Sequence, residues 1–223
     1  MSQIIHLFDA YGTLFDVHSA VGRLKPQIGP QADRLSEIWR AKTLEYTWVH
    51  GLAGKPSTFR KLLKNGLDFA ISSTGPLPAE VRTQLLEAYD SLAPFGEVKE
   101  ALLALKRKRS RLSILSNGDP DMLDKAVRSA GLEDMFDHLF SVVDVGVFKP
   151  SSRVYRMAMT KYGAAREDIT FVSSNRWDVA GASVFGFRSV WVNRSAAPEE
   201  YADMPAAATV ADLRGLPLLA PAA

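Results

Sequence analysis

The chain has 223 residues, of which 47% are hydrophobic and 23% are charged, and its formal net charge is +2. This composition is typical of a globular protein and argues against a disordered or fibrous chain. A net charge this small provides no broad positive field, so we expect no nucleic-acid partner. The chain has no cysteine, which excludes disulfides, thiolate metal ligands and cysteine nucleophiles.

The first residues lead directly into an apolar run, which leaves no room for the charged and apolar regions of a signal peptide. No apolar stretch reaches the roughly 20 residues that cross a bilayer. We therefore expect a cytoplasmic protein that does not contact the membrane.

Five short apolar runs predict β-strands at residues 4–8, 112–115, 139–143, 169–172 and 189–192. Segments of helical period lie between the later runs, at residues 98–105, 122–130, 154–162 and 179–185. Strands that alternate with helices imply right-handed crossovers and a mostly parallel sheet covered on both faces. The pattern predicts an α/β protein with a doubly wound, Rossmann-like sheet.

The alternation is interrupted between the first two predicted strands. From residue 16 to residue 92 the apolar positions follow a helical period, as at Leu35, Ile38 and Trp39, and glycine and proline residues separate the pieces. We therefore predict a helical cap domain, residues 16–92, inserted into a Rossmann-like catalytic core made of residues 1–15 and 93–223.

Polar and charged residues follow four of the predicted strands. Ligands of an open parallel sheet bind at the carboxyl ends of its strands, so the loops there are candidate sites. The four loop segments are Asp9-Ala10-Tyr11-Gly12-Thr13, Ser116-Asn117-Gly118-Asp119, Lys149-Pro150 and Ser173-Ser174-Asn175-Arg176-Trp177-Asp178. Together they can place two carboxylates, an ammonium group and several hydroxyl and amide groups at one edge.

These four segments, with a helical insertion after the first, resemble the haloacid dehalogenase superfamily and specifically its L-2-haloacid dehalogenase branch. Each motif alone is weak, because combinations such as Ser-Asn-Gly occur by chance. The four together, each after a predicted strand, are a strong signal that covers essentially the whole chain. The resemblance implies hydrolysis of short L-2-haloalkanoic acids to D-2-hydroxy acids through an aspartyl ester, with inversion of configuration.

Asp9 ends the first predicted strand, where an aspartate often caps a turn or the next helix. The resemblance implies instead that Asp9 is the nucleophile, which splits one hard displacement into two easier steps by forming an ester. Thr13 would then supply a hydroxyl that orients the carboxylate.

Tyr11 stands where phosphatases of the same superfamily carry a second aspartate that protonates the departing alcohol. With an ordinary pKa near ~10, a tyrosine does not do this at neutral pH. Halide is a very weak base and leaves without a proton, so Tyr11 fits dehalogenation better than phosphate ester hydrolysis. By resemblance, Ala10 and Tyr11 belong to the substrate-binding residues.

The fourth loop carries Asp178 with Ser173, Ser174 and Asn175 in place of further acids. Magnesium prefers several oxygen ligands, mainly carboxylates and waters, and it neutralises the charge of a phosphoryl group. A halocarboxylate has a single negative charge, which Lys149 and hydroxyl or backbone donors can offset. We therefore expect neither a metal nor another cofactor.

Lys149 and Asp178 each have an ordinary interpretation, as an exposed surface lysine and as a helix cap. By resemblance, Lys149 holds the nucleophile ionised and aimed through its opposite charge. Asp178 would position or deprotonate the water that attacks the ester, with help from Asn175 and Ser173.

Ser116 and Asn117 precede a helical segment, and a free helix N-terminus suits a carboxylate ligand, although such residues also form ordinary turns. By resemblance, Ser116 binds the substrate carboxylate and Asn117 faces the halide. Arg40 can form an exposed ion pair with Glu37, worth about 0.2–0.5 kcal/mol. The resemblance implies that Arg40 reaches over the crevice as a catalytic and substrate-binding cation that stabilises the departing halide.

The apolar wall and polar edge of the substrate pocket are expected from Leu44, Phe59, Tyr155 and Trp177. Aromatic residues at such spacings are often simply part of the core. The resemblance also implies a homodimer.

Three alternatives remain open at the level of the sequence. A Mg²⁺-dependent small-molecule phosphatase of the same fold would lose its activity with a chelator, and a noncatalytic relative would bind a ligand without turnover. A related hydrolase could open a strained 2-substituted ring by similar chemistry. The preferred halogen and chain length are not set by residue identity, because small changes in pocket volume alter discrimination by only about 1–3 kcal/mol.

Overall fold

The computed structural model describes residues 4–219. Its centre is a six-stranded sheet in the order β3-β2-β1-β4-β5-β6, in which every neighbouring pair is parallel. The strands are β1 Ile5–Phe8, β2 Arg111–Ser116, β3 His138–Ser141, β4 Ile169–Ser173, β5 Arg188–Val192 and β6 Ala208–Val210. All residues of β1 and β4 are buried, as expected for central strands covered on both faces.

Eight α-helices accompany the strands in the described part of the chain. They are α1 Ser19–Ile28, α2 Ala32–Leu52, α3 Phe59–Thr74, α4 Ala79–Ala88, α5 Val98–Arg107, α6 Pro120–Ser129, α7 Ser152–Tyr162 and α8 Arg176–Phe185. Among the described residues, no helix is both long and apolar enough to traverse a lipid bilayer.

The four helices α1 to α4 form one insertion between β1 and α5. The chain leaves and returns at the same place, because the Phe95 N–H donates to the Leu14 carbonyl at 3.0 Å and the Asp16 N–H donates to the Ala93 carbonyl at 2.8 Å. These bonds lie next to the boundaries predicted for the cap. We keep the division into a cap, residues 16–92, and a two-part core as a proposal.

Helices α2 and α3 pack closely against each other in the insertion. The Trp39 indole N–H donates to the Leu63 carbonyl at 2.9 Å. A Cβ atom at Gly66 would lie 2.7 Å from the Thr43 hydroxyl and 3.3 Å from the Trp39 carbonyl. Only a glycine at this position therefore permits the observed approach of the two helices.

The strand order confirms the predicted doubly wound α/β fold with an inserted helical region. From β1 the chain adds β2 and β3 on one side, and it then crosses to add β4, β5 and β6 on the other. The crossing point lies between β1 and β4, where loops diverge and leave a crevice outside the carboxyl ends of the strands. Asp9 directly follows β1, and the segment from Ser173 to Asp178 runs from the end of β4 into the first turn of α8.

Two details differ from the predicted elements. The third strand ends at Ser141, two residues before the predicted end, because the Ser141 hydroxyl accepts the N–H of Val143 at 3.3 Å and a 3₁₀ turn begins. The short edge strand Ala208–Val210 was not predicted. It has only one buried residue and therefore no continuous apolar run.

Candidate active site

Asp9 lies directly after β1, and 9% of its side chain is exposed. Its Oδ2 atom accepts hydrogen bonds from the Asn175 amide at 2.7 Å and from the Thr13 hydroxyl at 2.8 Å. The Ser173 hydroxyl donates to the same oxygen at 3.3 Å. The other oxygen, Oδ1, accepts from the Lys149 ammonium group at 3.1 Å. Side chains from three separate loops therefore hold one carboxylate.

Lys149 bridges two buried carboxylates. Its side chain is 1% exposed, and its Nζ atom lies 3.1 Å from Asp9 Oδ1 and 2.8 Å from Asp178 Oδ2. Burial alone would lower the pKa of Lys149, but the negative charges of Asp178 and Asp9 outweigh it and raise the pKa above its ordinary value. The interpretation as a surface lysine is wrong, because this ammonium group is buried and charged.

Asp178 lies in the first turn of α8 and is fully buried. Besides the bond to Lys149, its Oδ1 atom accepts a hydrogen bond from the Tyr155 hydroxyl at 2.7 Å. Burial raises the pKa of Asp178 to about 6, and the nearby charge of Asp9 adds to this, while Lys149 and the Tyr155 hydrogen bond oppose it. At neutral pH the group is an ionised carboxylate that is more basic than an ordinary aspartate.

Arg40 extends from α2 of the insertion to the loops at the edge of the sheet. One guanidinium nitrogen donates to the Tyr11 carbonyl and to the Asn175 side-chain oxygen, each at 3.1 Å. Glu37, the expected partner of an exposed pair, forms its ion pair with Arg34 at 3.5 Å. The exposed-pair interpretation of Arg40 is therefore wrong, and the structure places this cation beside the residues that bind Asp9.

Ser116 and Asn117 lie at the end of β2 and are both buried. The Ser116 hydroxyl accepts the Gly118 N–H at 3.1 Å, and the Asn117 side-chain oxygen accepts the Lys149 N–H at 2.9 Å. The Ser116 hydroxyl oxygen and the Asn117 side-chain oxygen thus accept hydrogen bonds from the protein itself. The Ser116 hydroxyl proton and the Asn117 NH₂ group are the donors that these residues can offer to a ligand. The Ser116 bond closes a local turn, as the ordinary interpretation expected, whereas the Asn117 side chain binds the loop that carries Lys149. The binding roles of both residues stay predictions.

Tyr11 and Phe59 form an apolar wall that joins the core to the insertion. Their rings stack with a centroid distance of 5.4 Å. A Cβ atom at Gly118 would lie 2.6 Å from the Tyr11 ring, so a glycine is needed there. The Tyr11 hydroxyl is buried and has no hydrogen-bond partner among the described residues. Burial, with a smaller contribution from Tyr89, raises the pKa of Tyr11 far above its ordinary value, so it is an even weaker acid than expected.

Tyr155 lies behind the site. It is fully buried, its hydroxyl is bound to Asp178, and its ring contacts Phe171 and Phe185 at centroid distances of 5.6 and 5.8 Å. We expected Tyr155 at the edge of the substrate pocket. Because its hydroxyl is occupied by Asp178, we interpret it as a residue that positions this carboxylate.

Three further residues are predicted to bind the substrate, namely Ala10, Leu44 and Trp177. Ala10 directly follows Asp9 and is fully buried, and Leu44 is half-buried four residues after Arg40, on the same face of α2. Trp177 packs edge-on against Trp48 of α2 with a centroid distance of 5.4 Å. Trp177 also lines a cavity of about 1000 Å³ whose lining includes Lys149 but not Asp9.

Asp119 connects the second loop to the insertion, a role that we did not predict. Its two carboxylate oxygens accept the backbone N–H groups of Phe59 and Arg60, each at 3.0 Å. These are free donors in the first turn of α3, so a core residue stabilises the N-terminus of an inserted helix. The sequence contains no signal for this contact, because the partners are about 60 residues apart.

Within residues 4–219, no group of three or more His, Cys, Asp or Glu side chains is arranged to hold a metal ion. Lys149 supplies the positive charge between the two buried carboxylates. The absence of a metal or another cofactor in the working enzyme stays a prediction.

The family model of haloacid dehalogenase-like hydrolases matches residues 6–186. The (S)-2-haloacid dehalogenase of Pseudomonas sp. (strain YL) is 47% identical over 189 residues, which cover 84% of this chain and 82% of the relative. The (S)-2-haloacid dehalogenase 1 of Pseudomonas sp. (strain CBS-3) is 39% identical over 96% of this chain and 94% of the relative.

A solved structure is also similar over nearly the full length. The L-2-haloacid dehalogenase of Xanthobacter autotrophicus, solved with chloropropionic acid covalently bound, has a TM-score of 0.88 and 31% identity over 97% of this chain and 98% of that chain. This chain therefore belongs to the haloacid dehalogenase-like hydrolases. The two curated relatives named above are (S)-2-haloacid dehalogenases, so the branch predicted from the four loop segments is confirmed.

Proposed function

We propose that this enzyme hydrolyses short L-2-haloalkanoic acids to D-2-hydroxy acids, with the Asp9 carboxylate as the nucleophile. The observation that carries the proposal is the unequal surroundings of its two oxygens. Oδ2 accepts three side-chain hydrogen bonds, whereas Oδ1 accepts one from Lys149. Hydrogen-bond donors lower the nucleophilicity of an oxygen, so Oδ1 is the atom that attacks.

In the first step, Oδ1 of Asp9 attacks the 2-carbon from the side opposite the halogen. An O–C bond forms, the carbon–halogen bond breaks, its electron pair leaves with the halide, and the configuration is inverted. Lys149 keeps the carboxylate ionised before the attack. Arg40 and Asn117 supply donors that stabilise the negative charge developing on the halogen. No group has to protonate the halide, which is consistent with Tyr11 as a neighbour.

The substrate carboxylate would bind to the Ser116 hydroxyl and the donors at the N-terminus of α6. Tyr11, Phe59 and Leu44 would cover the apolar part of a short acid. A short acid with one carboxylate and a small apolar end matches these groups in both charge and size.

In the second step, a water molecule attacks the Cγ carbon of the ester. Asp178 accepts a proton from this water, and its pKa of about 6 makes it a better base than an ordinary aspartate. The negative charge that forms on Oδ2 is met by the three donors already bound to it, Thr13, Ser173 and Asn175. The ester bond to the substrate then breaks, and the hydroxy acid leaves with the proton that Asp178 had accepted. The second proton of the water is released to solvent, and the water oxygen stays in the ionised carboxylate of Asp9.

An isotope experiment tests this covalent route. A single turnover of L-2-chloropropionate by excess enzyme in H₂¹⁸O should place ¹⁸O in the peptide that contains Asp9 and none in the lactate formed. Direct appearance of ¹⁸O in the first product would contradict the proposal. Asp9→Asn should release no chloride, and Asp33→Asn, at a carboxylate that is 76% exposed, should behave like the unchanged protein.

The same preparation separates the alternatives. Chloride release with a chelator present, without hydrolysis of p-nitrophenyl phosphate with Mg²⁺, supports the dehalogenase. The converse result would support the phosphatase. The phosphatase is not favoured, because Tyr11 replaces its acid and the curated relatives named above are dehalogenases.

We also propose that the enzyme is a homodimer. Leu52 and Val184 are 91% and 69% exposed, and both line the cavity of about 1000 Å³ beside Trp48 and Trp177. An exposed apolar area of this kind marks an association surface. Sedimentation equilibrium should show a dimer that Leu52→Asp converts to a monomer. The control Leu218→Asp, at a leucine that is 84% exposed, should leave the dimer intact. The cytoplasmic location and the absence of a nucleic-acid partner stay predictions.

A further inference from the structure

Arg194, in the loop after β5, contacts two of the loops that form the active site. One terminal nitrogen of its guanidinium group donates to the Ser174 hydroxyl at 2.7 Å. The other donates to the Thr13 carbonyl at 3.0 Å and to the Glu97 carboxylate at 2.5 Å. Its Cζ atom lies 4.0 Å from the centre of the Phe95 ring. One mostly buried cation thus joins three segments that are far apart in sequence.

Thr13 and Ser174 together determine where the Thr13 hydroxyl points. The Thr13 hydroxyl accepts the Ser174 N–H at 2.8 Å and donates to Asp9 Oδ2, also at 2.8 Å. A hydroxyl has one proton, so occupation of a lone pair by the Ser174 N–H directs that proton towards Asp9. Arg194 holds both of the residues on which this orientation depends.

The contacts of Arg194 with Glu97 and Phe95 stabilise the arginine itself. Glu97 and Phe95 lie where the chain returns from the helical insertion, and the Phe95 N–H donates to the carbonyl of Leu14, next to Thr13. Glu97 balances the charge of the buried guanidinium group, and the Phe95 ring supports it by a cation–π contact. These contacts keep Arg194 in place but do not themselves touch the residues around Asp9.

We propose that Arg194 is a positioning residue for the nucleophile, which holds Thr13 and Ser174 so that the Thr13 hydroxyl donates to Asp9 Oδ2. The inference rests on the proposed role of Asp9. Arg194 is not assigned a contact with substrate, and its effect passes through Thr13. Since Thr13 is one of three donors to the oxygen that becomes negative during ester hydrolysis, loss of Arg194 should slow the second step most.

Direct removal of an oxyanion donor lowers kcat by about 10²–10³-fold. For an indirect effect through Thr13 we expect a decrease in kcat of about 10–100-fold in Arg194→Met, with KM for L-2-chloropropionate changed less than about threefold. Arg194→Lys retains a charge and some donors, so it should recover part of the loss. The ester on Asp9 should accumulate in Arg194→Met, and mass spectrometry of the quenched protein measures it.

Two control variants separate positioning from stability. Glu97→Gln weakens the charge pair but leaves the bonds from Arg194 to Thr13 and Ser174, so it should lower the melting temperature without ester accumulation. Arg214→Met removes an exposed arginine that pairs with Asp212 and should change neither property. All rates are measured well below the melting temperature of each variant.

The proposal is overturned if folded Arg194→Met has an unchanged kcat, if its whole defect is in KM, or if Glu97→Gln accumulates the ester equally. If Arg194→Met does not fold, the kcat values of Arg194→Lys and Ser174→Ala test the proposal instead. Ser174→Ala removes one acceptor of Arg194 but keeps the backbone N–H, and unchanged kcat in both variants overturns the proposal. If the unchanged enzyme forms no ester on Asp9, it is the proposed function that fails, whatever the Arg194 variants show.

Discussion

The two sides of the active site are held by different kinds of interaction. On the sheet side, Asp9 is bound by four side chains from loops at one edge of the sheet, and Lys149 and Asp178 are buried beside it. On the helix side, Arg40 makes two hydrogen bonds to the core, and Phe59 is placed by ring packing and by the N-terminus of its helix. The comparison suggests that the sheet side holds the nucleophile and the base, whereas the helix side places Arg40 at the halide and determines which acid fits.

A change at Lys149 tests the sheet side most severely. Lys149→Met leaves two buried carboxylates without their shared cation, so the free energy of unfolding should fall by about 3–5 kcal/mol. Activity should fall by more than about 10³-fold, as when one member of a catalytic unit is removed. Urea unfolding and chloride release measure the two effects.

Lys25→Met is the matched control for this variant, because Lys25 pairs with Asp33 at 2.7 Å while both are well exposed. Such a pair contributes about 0–1 kcal/mol. Equal losses of stability in the two variants would show that burial of Lys149 does not matter, and the distinction between the two sides would fail.

The pH dependence of kcat tests the base on the sheet side. Burial raises the pKa of Asp178 to about 6, and only the ionised carboxylate can accept a proton from water. The rate should therefore be half-maximal near pH 6, level off at higher pH and, well below pH 6, fall about tenfold for each pH unit. Asp178→Asn should be slow at every pH and should lack this decrease at low pH, the acid limb of the profile.

Tyr155→Phe sharpens the same measurement. The hydrogen bond from Tyr155 lowers the pKa of Asp178, so its removal should move the limb to higher pH. A limb that stays in place would show that Tyr155 does not act on this carboxylate, and a limb that persists in Asp178→Asn would assign it to another group.

Arg40→Met tests the helix side. If the guanidinium group stabilises the departing halide, kcat/KM should fall by about 10²-fold with little change in unfolding free energy. Arg34→Met on the same helix is the control, because Arg34 forms an exposed pair with Glu37. Steady-state rates with 2-chloro- and 2-bromopropionate give the answer, and equal rates in both variants would remove Arg40 from the mechanism.

The smallest expected effect is at Asp119. Asp119→Ala removes the acceptor of two N–H groups at the start of α3, and loss of such a cap typically reduces stability by about 1 kcal/mol. Because Phe59 moves with this end of the helix, KM should rise a few-fold while kcat stays nearly constant. Asp124→Ala, on an exposed pair with Arg128, should change neither. A loss confined to kcat would contradict the proposal that this end of the helix acts on substrate fit.

Much of the sheet side could be predicted because one geometric rule applies to it. In a parallel sheet, residues after different strands meet at one edge wherever they stand in the chain. Asp9, Lys149 and Asp178 follow strands or open the next helix, so the sequence alone is enough to place them together. The precise partner of each side chain could not be predicted in this way, and Tyr155 is the example.

Contacts across the helix side have no comparable rule. Arg40 was found through the resemblance to a family, and neither Asp119 nor Arg194 gave a signal of its own. Their partners lie in segments whose approach depends on how helices pack and on which loop reaches the edge of the sheet. The edge strand Ala208–Val210 was missed for a related reason, since an exposed strand needs no apolar pattern.

The close approach of α2 and α3 at Gly66 has a consequence for how such an enzyme can change. Residue 66 touches no reacting atom, yet its lack of a side chain sets how near one helix lies to its neighbour, which carries Arg40 three positions before Thr43. A methyl group there would act as a wedge and move the cation relative to the halogen. Selection for bulkier or differently halogenated acids could therefore act on a spacer inside the insertion without replacing any residue that contacts the substrate.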